Sequence, residues 1–239
     1  MMKKIAALIA ALSLACSAQA EVLTFSYTAK IDHILWSVGG STLQPSTATV
    51  RDRTVSNGDV VTGYFSIDTS TALVGEHTFP NLLLQVYLDS SSANAVTSKI
   101  GSAGPVTDST SLRTLQISVI HASTGGLDGL GVNSYEYQAG NYFEEASIIF
   151  EAPSTGPGSG IDTSLIALNQ NSRYEYSFVD YTASSFTAMS ATAHLTSLTF
   201  LSSVPSAAVP EADTYAMLLA GLGVLGWASR RQRRSREVS

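Results

Sequence analysis

The side chains that could do chemistry are few, and their spacing favours recognition over catalysis. His33, His77, His121 and His194 lie far apart and share no ligand spacing such as H-E-x-x-H. A lone histidine on a strand reads as an exposed or hydrogen-bonded side chain rather than a ligand or base. Glu144 and Glu145 are adjacent carboxylates, but neighbours on a strand point to opposite faces, leaving one solvated and the other at a rim. Gly156-Pro157-Gly158-Ser159-Gly160 is not a nucleophile elbow, because Pro157 occupies the first glycine position. Gly125-Gly126-Leu127-Asp128-Gly129 is a turn with one carboxylate and not a calcium loop. Gly221-Leu222-Gly223-Val224-Leu225-Gly226 spells the dinucleotide fingerprint, yet only 13 residues follow it and five of them are arginine. The fingerprint needs a preceding strand, a following helix and a distant acidic residue, so these glycines read as small residues for close helix packing in a membrane. No catalytic residue, no metal site and no cofactor are expected. The best binding candidates are aromatic: Tyr135, Tyr137 and Tyr142, with Phe143, Tyr174, Tyr176 and Tyr181. A ring with an apolar face and a polar tip suits stacking on sugars, and it also suits the filling of a sandwich face.

The elements that must position these rings read as strands. In Val22 to Ile31, the residues Phe25, Tyr27, Ala29 and Ile31 share one face at period two. Asn57-Gly58-Asp59 is a turn signal before a strand over Val60 to Asp68. Further strands are expected at Leu82 to Leu88, Leu112 to His121, Tyr142 to Glu151, Arg173 to Asp180 and Ala193 to Phe200. Alternation fails across Leu195, Leu198 and Phe200, which suggests a bulge in the last strand. Ser90 to Ser98, Gly101 to Ser111 and Pro153 to Gly160 read as loops. The fold class expected is all-β, a jelly-roll-like antiparallel β-sandwich over residues 21–201.

Charge sharpens the functional class. The formal net charge is −6, but residues 21–209 carry six basic against sixteen acidic side chains and so stand near −10 on their own. Such a surface repels nucleic acid and anionic headgroups, so no nucleic-acid partner is expected. About a quarter of that stretch is Ser plus Thr, as in secreted β proteins. The single cysteine, Cys16, falls in the leader described next, which leaves the remainder without a disulfide or a thiolate site.

Both ends carry topology signals. Lys3-Lys4, the apolar run Ile5 to Ala15 and the small residues Ala18 and Ala20 read as a signal peptide over residues 1–20, cleaved before Glu21. Cys16 after Ser13-Leu14-Ala15 is half a lipobox and keeps lipidation as the lesser alternative. At the other end residues 202–209 form a low-charge spacer, then Pro210-Glu211 precedes an uncharged run over 214–229. As a helix that run covers about 24 Å, enough for a thin bilayer with Trp227 at one interface. Arg230, Arg231, Arg233 and Arg234, in the basic stretch 230–236, place its end in the cytoplasm by the positive-inside rule.

A Pro-Glu motif, a short Leu/Gly/Ala-rich span and a terminal arginine cluster, in that order over 210–236, resemble the PEP-CTERM sorting domain. Ala212 stands where that family usually has a second proline. The resemblance implies recognition by an exosortase, an integral-membrane enzyme, with processing near Pro210 and Glu211. It also implies export by the secretion translocon and signal peptidase, transient residence in the inner membrane, and a final place on the outer surface or outside the cell. Gly58 to Thr69 is similar to a Gly-Asp turn and Thr-Gly-aromatic strand frequent in such proteins. From the family context, the expectation is a non-enzymatic surface or matrix protein of a Gram-negative bacterium, associated with exopolysaccharide and biofilm. The alternatives are a secreted polysaccharide-active enzyme on a jelly-roll scaffold and a self-associating structural subunit. An inward carboxylate cluster or a His/Asp pair in a cleft would favour the enzyme; long exposed sheet edges would favour the subunit.

Overall fold

Alternation of apolar and polar residues governs nearly every element of the computed structural model, which describes residues 21–51, 53–89, 95–101, 114–123, 125–138, 142–156, 158–181 and 186–205. The signal peptide with Ala18 and Ala20 lies outside the described residues. So does the tail with Pro210, Glu211, the 214–229 span and Arg230, Arg231, Arg233 and Arg234. Among the described residues no helix is long and apolar enough to cross a membrane.

The strands are β1 (Glu21–Val38), β2 (Ser41–Leu43), β3 (Thr47–Val50), β4 (Arg53–Ser56), β5 (Val60–Asp68), β6 (Leu73–Phe79) and β7 (Leu82–Asp89). They continue as β8 (Ala95–Ile100), β9 (Thr114–Ala122), β10 (Leu127–Gln138), β11 (Tyr142–Pro153), β12 (Arg173–Asp180) and β13 (Thr187–Pro205). A 3-10 turn at Thr163–Leu165 precedes β12. One antiparallel sheet holds eleven strands in the order β6-β7-β9-β10-β11-β12-β13-β1-β5-β8, with β2 paired to β1, while β3 and β4 form a separate hairpin. From β9 to β13 each strand pairs with its sequence neighbour. A rolled meander therefore makes the sandwich, in place of the interleaved keys of the expected jelly roll.

The connections force the roll. In a flat sheet β5 and β6 would stand eight positions apart, about 38 Å at the usual strand spacing. Asp68 and Leu73 are joined by four residues, which reach about 17 Å at most. The sheet must therefore curl until its edges approach, and the side chains record it. Phe65 of β5 meets Phe150 of β11 at 5.7 Å between ring centroids, and Tyr27 of β1 stacks on Tyr174 of β12 at 6.0 Å. The Tyr174 hydroxyl donates to the Ser98 hydroxyl of β8 at 3.0 Å. Inside lies one apolar cluster that includes Ile31, Ile67, Ile117, Leu130, Ile148 and Met189. Glu21–Val204 forms a compact unit that contains all of this core, so it carries its own folding energy.

The face read for β1 is the inner one: Tyr27, Ala29 and Ile31 are buried and Phe25 packs against them. β5 and β12 run over the residues expected from the pattern. Three readings are corrected. Residues 95–98, taken as loop, begin β8, whose Val96, Ser98 and Ile100 point inward. Leu127–Gly129, taken as part of a turn, opens β10, the central strand that periodicity missed. β13 runs to Pro205, four residues into the stretch read as spacer.

Gly63 explains the Thr-Gly-aromatic pattern of β5. It lies opposite Tyr27 on β1, and the Tyr27 hydroxyl crosses it to donate to the Thr97 carbonyl at 3.0 Å. A Cβ at Gly63 would collide with that carbonyl and stand 2.8 Å from the Tyr27 hydroxyl oxygen. Only glycine lets the tyrosine lie flat there.

Candidate functional sites at the two ends of the roll

Inward positions on several strands are apolar in the middle and turn polar toward the ends. On β10 the inner series is Asp128, Leu130, Val132, Ser134 and Glu136, and the flanking charges mark where the core stops. Each end of the roll builds a different site from such residues.

At the first end the β3–β4 hairpin acts as a plug. Ala48, Val50 and Val55 turn its apolar face to the core. Val50 pairs with Arg53, which leaves a two-residue turn, and Arg51 takes a left-handed φ of 53° there. Its guanidinium holds Asp180 at the end of β12 through two contacts of 3.0 Å and lies 5.3 Å over the Tyr142 ring. Arg53 reaches the Glu144 carboxylate at 3.6 Å, and that side chain is only 1% exposed. Glu144 also accepts from the Tyr176 hydroxyl at 3.1 Å. Burial, followed by the facing Glu144 carboxylate, pushes the Tyr176 phenol far above its ordinary value, so it stays protonated and donates. Tyr142 stacks on Phe178 at 5.6 Å and donates to Glu136. Carboxylates from three strands are thus gathered here, each beside a cation or a phenol. The arrangement is a clasp.

At the second end the chain after β11 folds back over the sheet. Gly129 of β10 pairs with Ile120 of β9, which brings Asp128 beside His121. A cleft of about 410 Å³ opens there, lined by His121, Asp128, Thr155, Gly156, Gly158, Ser159, Ile161 and Asp162. His121 is only 6% exposed, and its Nε2 lies 3.3 Å from the Gly160 carbonyl. Asp128 uses one oxygen to accept the Ala122 amide at 2.8 Å. Asp162 uses one oxygen for the Ser164 amide at 2.9 Å and the Ser164 hydroxyl, capping the 3-10 turn. Gln85, buried beneath, accepts from the Gly160 amide at 2.9 Å and ties the loop to β7.

The tyrosines expected to form one surface are separated. Tyr135 faces outward beside Phe143, with ring centroids 6.2 Å apart, and Tyr137 pairs with Phe143 in the register. Tyr142 lies on the inner face, in the clasp, and Tyr174 and Tyr176 are core residues. Glu144 and Glu145 do split between the faces, but Glu144 goes to a buried ion pair and not to a rim. His194 bonds Asp32 on the outer surface, Nδ1 to Oδ1 at 2.7 Å and backbone amide to Oδ2 at 2.9 Å. Among the described residues no group of three metal-binding side chains comes together. Sequence reasoning missed Arg51, Arg53, Asp128, Asp162 and Asp180 as members of sites. For Arg53, Asp128 and Asp180 the available signal was a charge at an inward position near the end of a strand.

No curated protein and no solved structure matches the chain. Residues 208–234, just beyond the last strand, match the PEP-CTERM protein-sorting motif, which marks the chain as an exported protein targeted to an exosortase.

Proposed function

We propose that the chain is a non-enzymatic surface or extracellular-matrix protein of a Gram-negative bacterium, sorted by an exosortase and associated with exopolysaccharide. The observation that carries this reading is the sorting motif, which starts three positions after β13 ends at Pro205. The folded unit is the cargo, and Pro210-Glu211 is where the tail is released. Residues 214–229 hold the precursor in the inner membrane, with Arg230, Arg231, Arg233 and Arg234 on the cytoplasmic side. The clasp supports a non-catalytic domain, because Glu144 and Asp180 neutralise arginines that hold the hairpin. Outward Tyr135 and Phe143 offer a ring pair of the kind that stacks on sugars.

Replacing Pro210 and Glu211 together by alanine, with the product followed in membrane and medium fractions of an exosortase-bearing host, tests the sorting claim. An uncleaved, membrane-retained precursor is expected; unchanged processing and release would overturn it. Failure of residues 21–205 to pull down the host's own exopolysaccharide would remove the matrix-ligand claim and leave sorting intact.

A second reading, a secreted polysaccharide-active enzyme, is favoured by one observation: His121 and Asp128 stand together in a cleft. Release of soluble sugar from that polysaccharide, abolished by His121→Ala, would favour it over the first.

A further inference from the structure

The cleft beside His121 differs from the clasp in that its acceptors face solvent. Asp128 and Asp162 each engage one carboxylate oxygen in a structural bond, and the second oxygen of each makes no hydrogen bond among the described residues. The Gly160 carbonyl can only accept, so His121 carries its proton on Nε2 and Nδ1 is left as an acceptor. That nitrogen packs against Gly158, where an added Cβ would stand 2.7 Å from it, so the ring forms a wall of the cleft and the loop covers it. Two carboxylate acceptors therefore line one cleft, and the hydroxyls of Thr155 and Ser159 can serve either role. A ligand that fits must bring hydrogen-bond donors and must not bring negative charge. A bare metal ion is a poor candidate, because no three metal-binding side chains converge among the described residues. A volume near 410 Å³ instead suits a small ring, with Ile161 supplying an apolar contact.

We infer that this cleft binds a hydroxylated sugar ring carrying a primary amine, its ammonium held by Asp128 and Asp162 and its hydroxyls by Thr155 and Ser159. This deepens the exopolysaccharide reading by naming a ligand class and a place, and it rests on that reading only for the domain's meeting polysaccharide. An uncharged hexose binds more weakly, because it lacks the charge-assisted bonds. A uronate is rejected by the two carboxylates.

The test is calorimetric titration of residues 21–205, which contain the whole core, with glucosamine, glucose, glucuronate and ethanolamine. Glucosamine should bind with a millimolar Kd, glucose at least several-fold more weakly, and glucuronate not at all. Asp128→Asn and Asp162→Asn should each weaken glucosamine roughly tenfold, the usual worth of a charge-assisted bond. Each asparagine retains the oxygen that accepts the structural amide, and a thermal melt confirms folding. Glucuronate binding as well as glucosamine, both variants binding like the wild type, or ethanolamine matching glucosamine would each overturn the assignment. Because the wild-type comparison needs no variant, the inference stays testable even if a substitution unfolds the protein. If intact exopolysaccharide is pulled down while glucosamine fails to bind, the general reading stands and the cleft assignment falls.

Discussion

Replacing Arg53 by leucine tests whether the end clasp holds the β3–β4 hairpin in place. The substitution keeps a long apolar stem and removes the cation 3.6 Å from Glu144, whose side chain is 1% exposed. Stripping one partner from a buried pair costs about 3–5 kcal/mol. Arg53 is itself 27% exposed and the separation is long, so solvent screening brings the expected loss to about 2–3 kcal/mol. Glu144→Gln preserves an oxygen for the Tyr176 hydroxyl and lets Arg53 turn toward water, and should cost about 1 kcal/mol. The double variant should then be less damaged than the sum of the singles by about 1–2 kcal/mol, since neither buried charge is left facing an uncharged partner. Urea unfolding of residues 21–205, followed through Trp36, the one tryptophan in that stretch, supplies all three differences with comparable slopes. If Arg53→Leu costs less than about 0.5 kcal/mol, or the two losses simply add, the ion pair is irrelevant and Ala48, Val50 and Val55 seat the hairpin unaided.

Two further predictions follow from single positions. Gly63→Ala should cost about 3 kcal/mol, the upper end for overpacking, because the atoms in its way are the Thr97 carbonyl and the Tyr27 hydroxyl. Denaturant melts read the loss, and a cost below about 1 kcal/mol would mean that β8 slides aside freely. Burial raises the Glu145 carboxyl above its ordinary range, an effect trimmed by the Ser147 hydrogen bond and reinforced by Glu175. The folded protein thus holds that proton more tightly than the unfolded chain. The stability this provides is complete below the ordinary glutamate range and is lost as pH rises through the raised value. Glu145→Gln should therefore raise Tm at neutral pH and leave it unchanged in acid; a lower Tm at pH 7 contradicts the assignment.

How much of this was legible in the sequence depends on what each strand faces. β5 and β12 alternate cleanly because one face meets a closed core and the other meets water, so their limits could be read directly. β10 was hidden because its outward positions include Gly129, Gly131 and Asn133 and its inward series ends in Asp128 and Glu136, a pattern that resembles a turn. β8 was hidden because Ser98 points inward to meet Tyr174, a partner 76 residues away that local pattern cannot supply. The same non-locality hid the sites. Arg51 and Asp180 are 129 residues apart, and Asp128 meets His121 only through a register that the sequence does not print. The sorting motif was legible because it is one contiguous stretch, residues 208–234, whose residue order alone carries the match.

That division bears on where the activity of the folded unit resides. The middle of the roll is sealed by side chains such as Phe65, Phe150 and Tyr174, each fully buried, and can present nothing to a ligand. Function must therefore lie on the outer face or at an end. At the clasp end Arg51 is paired with Asp180, Arg53 with Glu144, and Glu136 takes the Tyr142 hydroxyl, so a ligand entering there would have to displace an existing partner and meet its desolvation cost. The His121 end demands no such exchange: its carboxylates have satisfied the backbone with one oxygen each, and the other makes no hydrogen bond among the described residues. Between two ends of comparable polarity, the one whose carboxylates have engaged only backbone and hydroxyl donors through one oxygen each is the one that can bind something else.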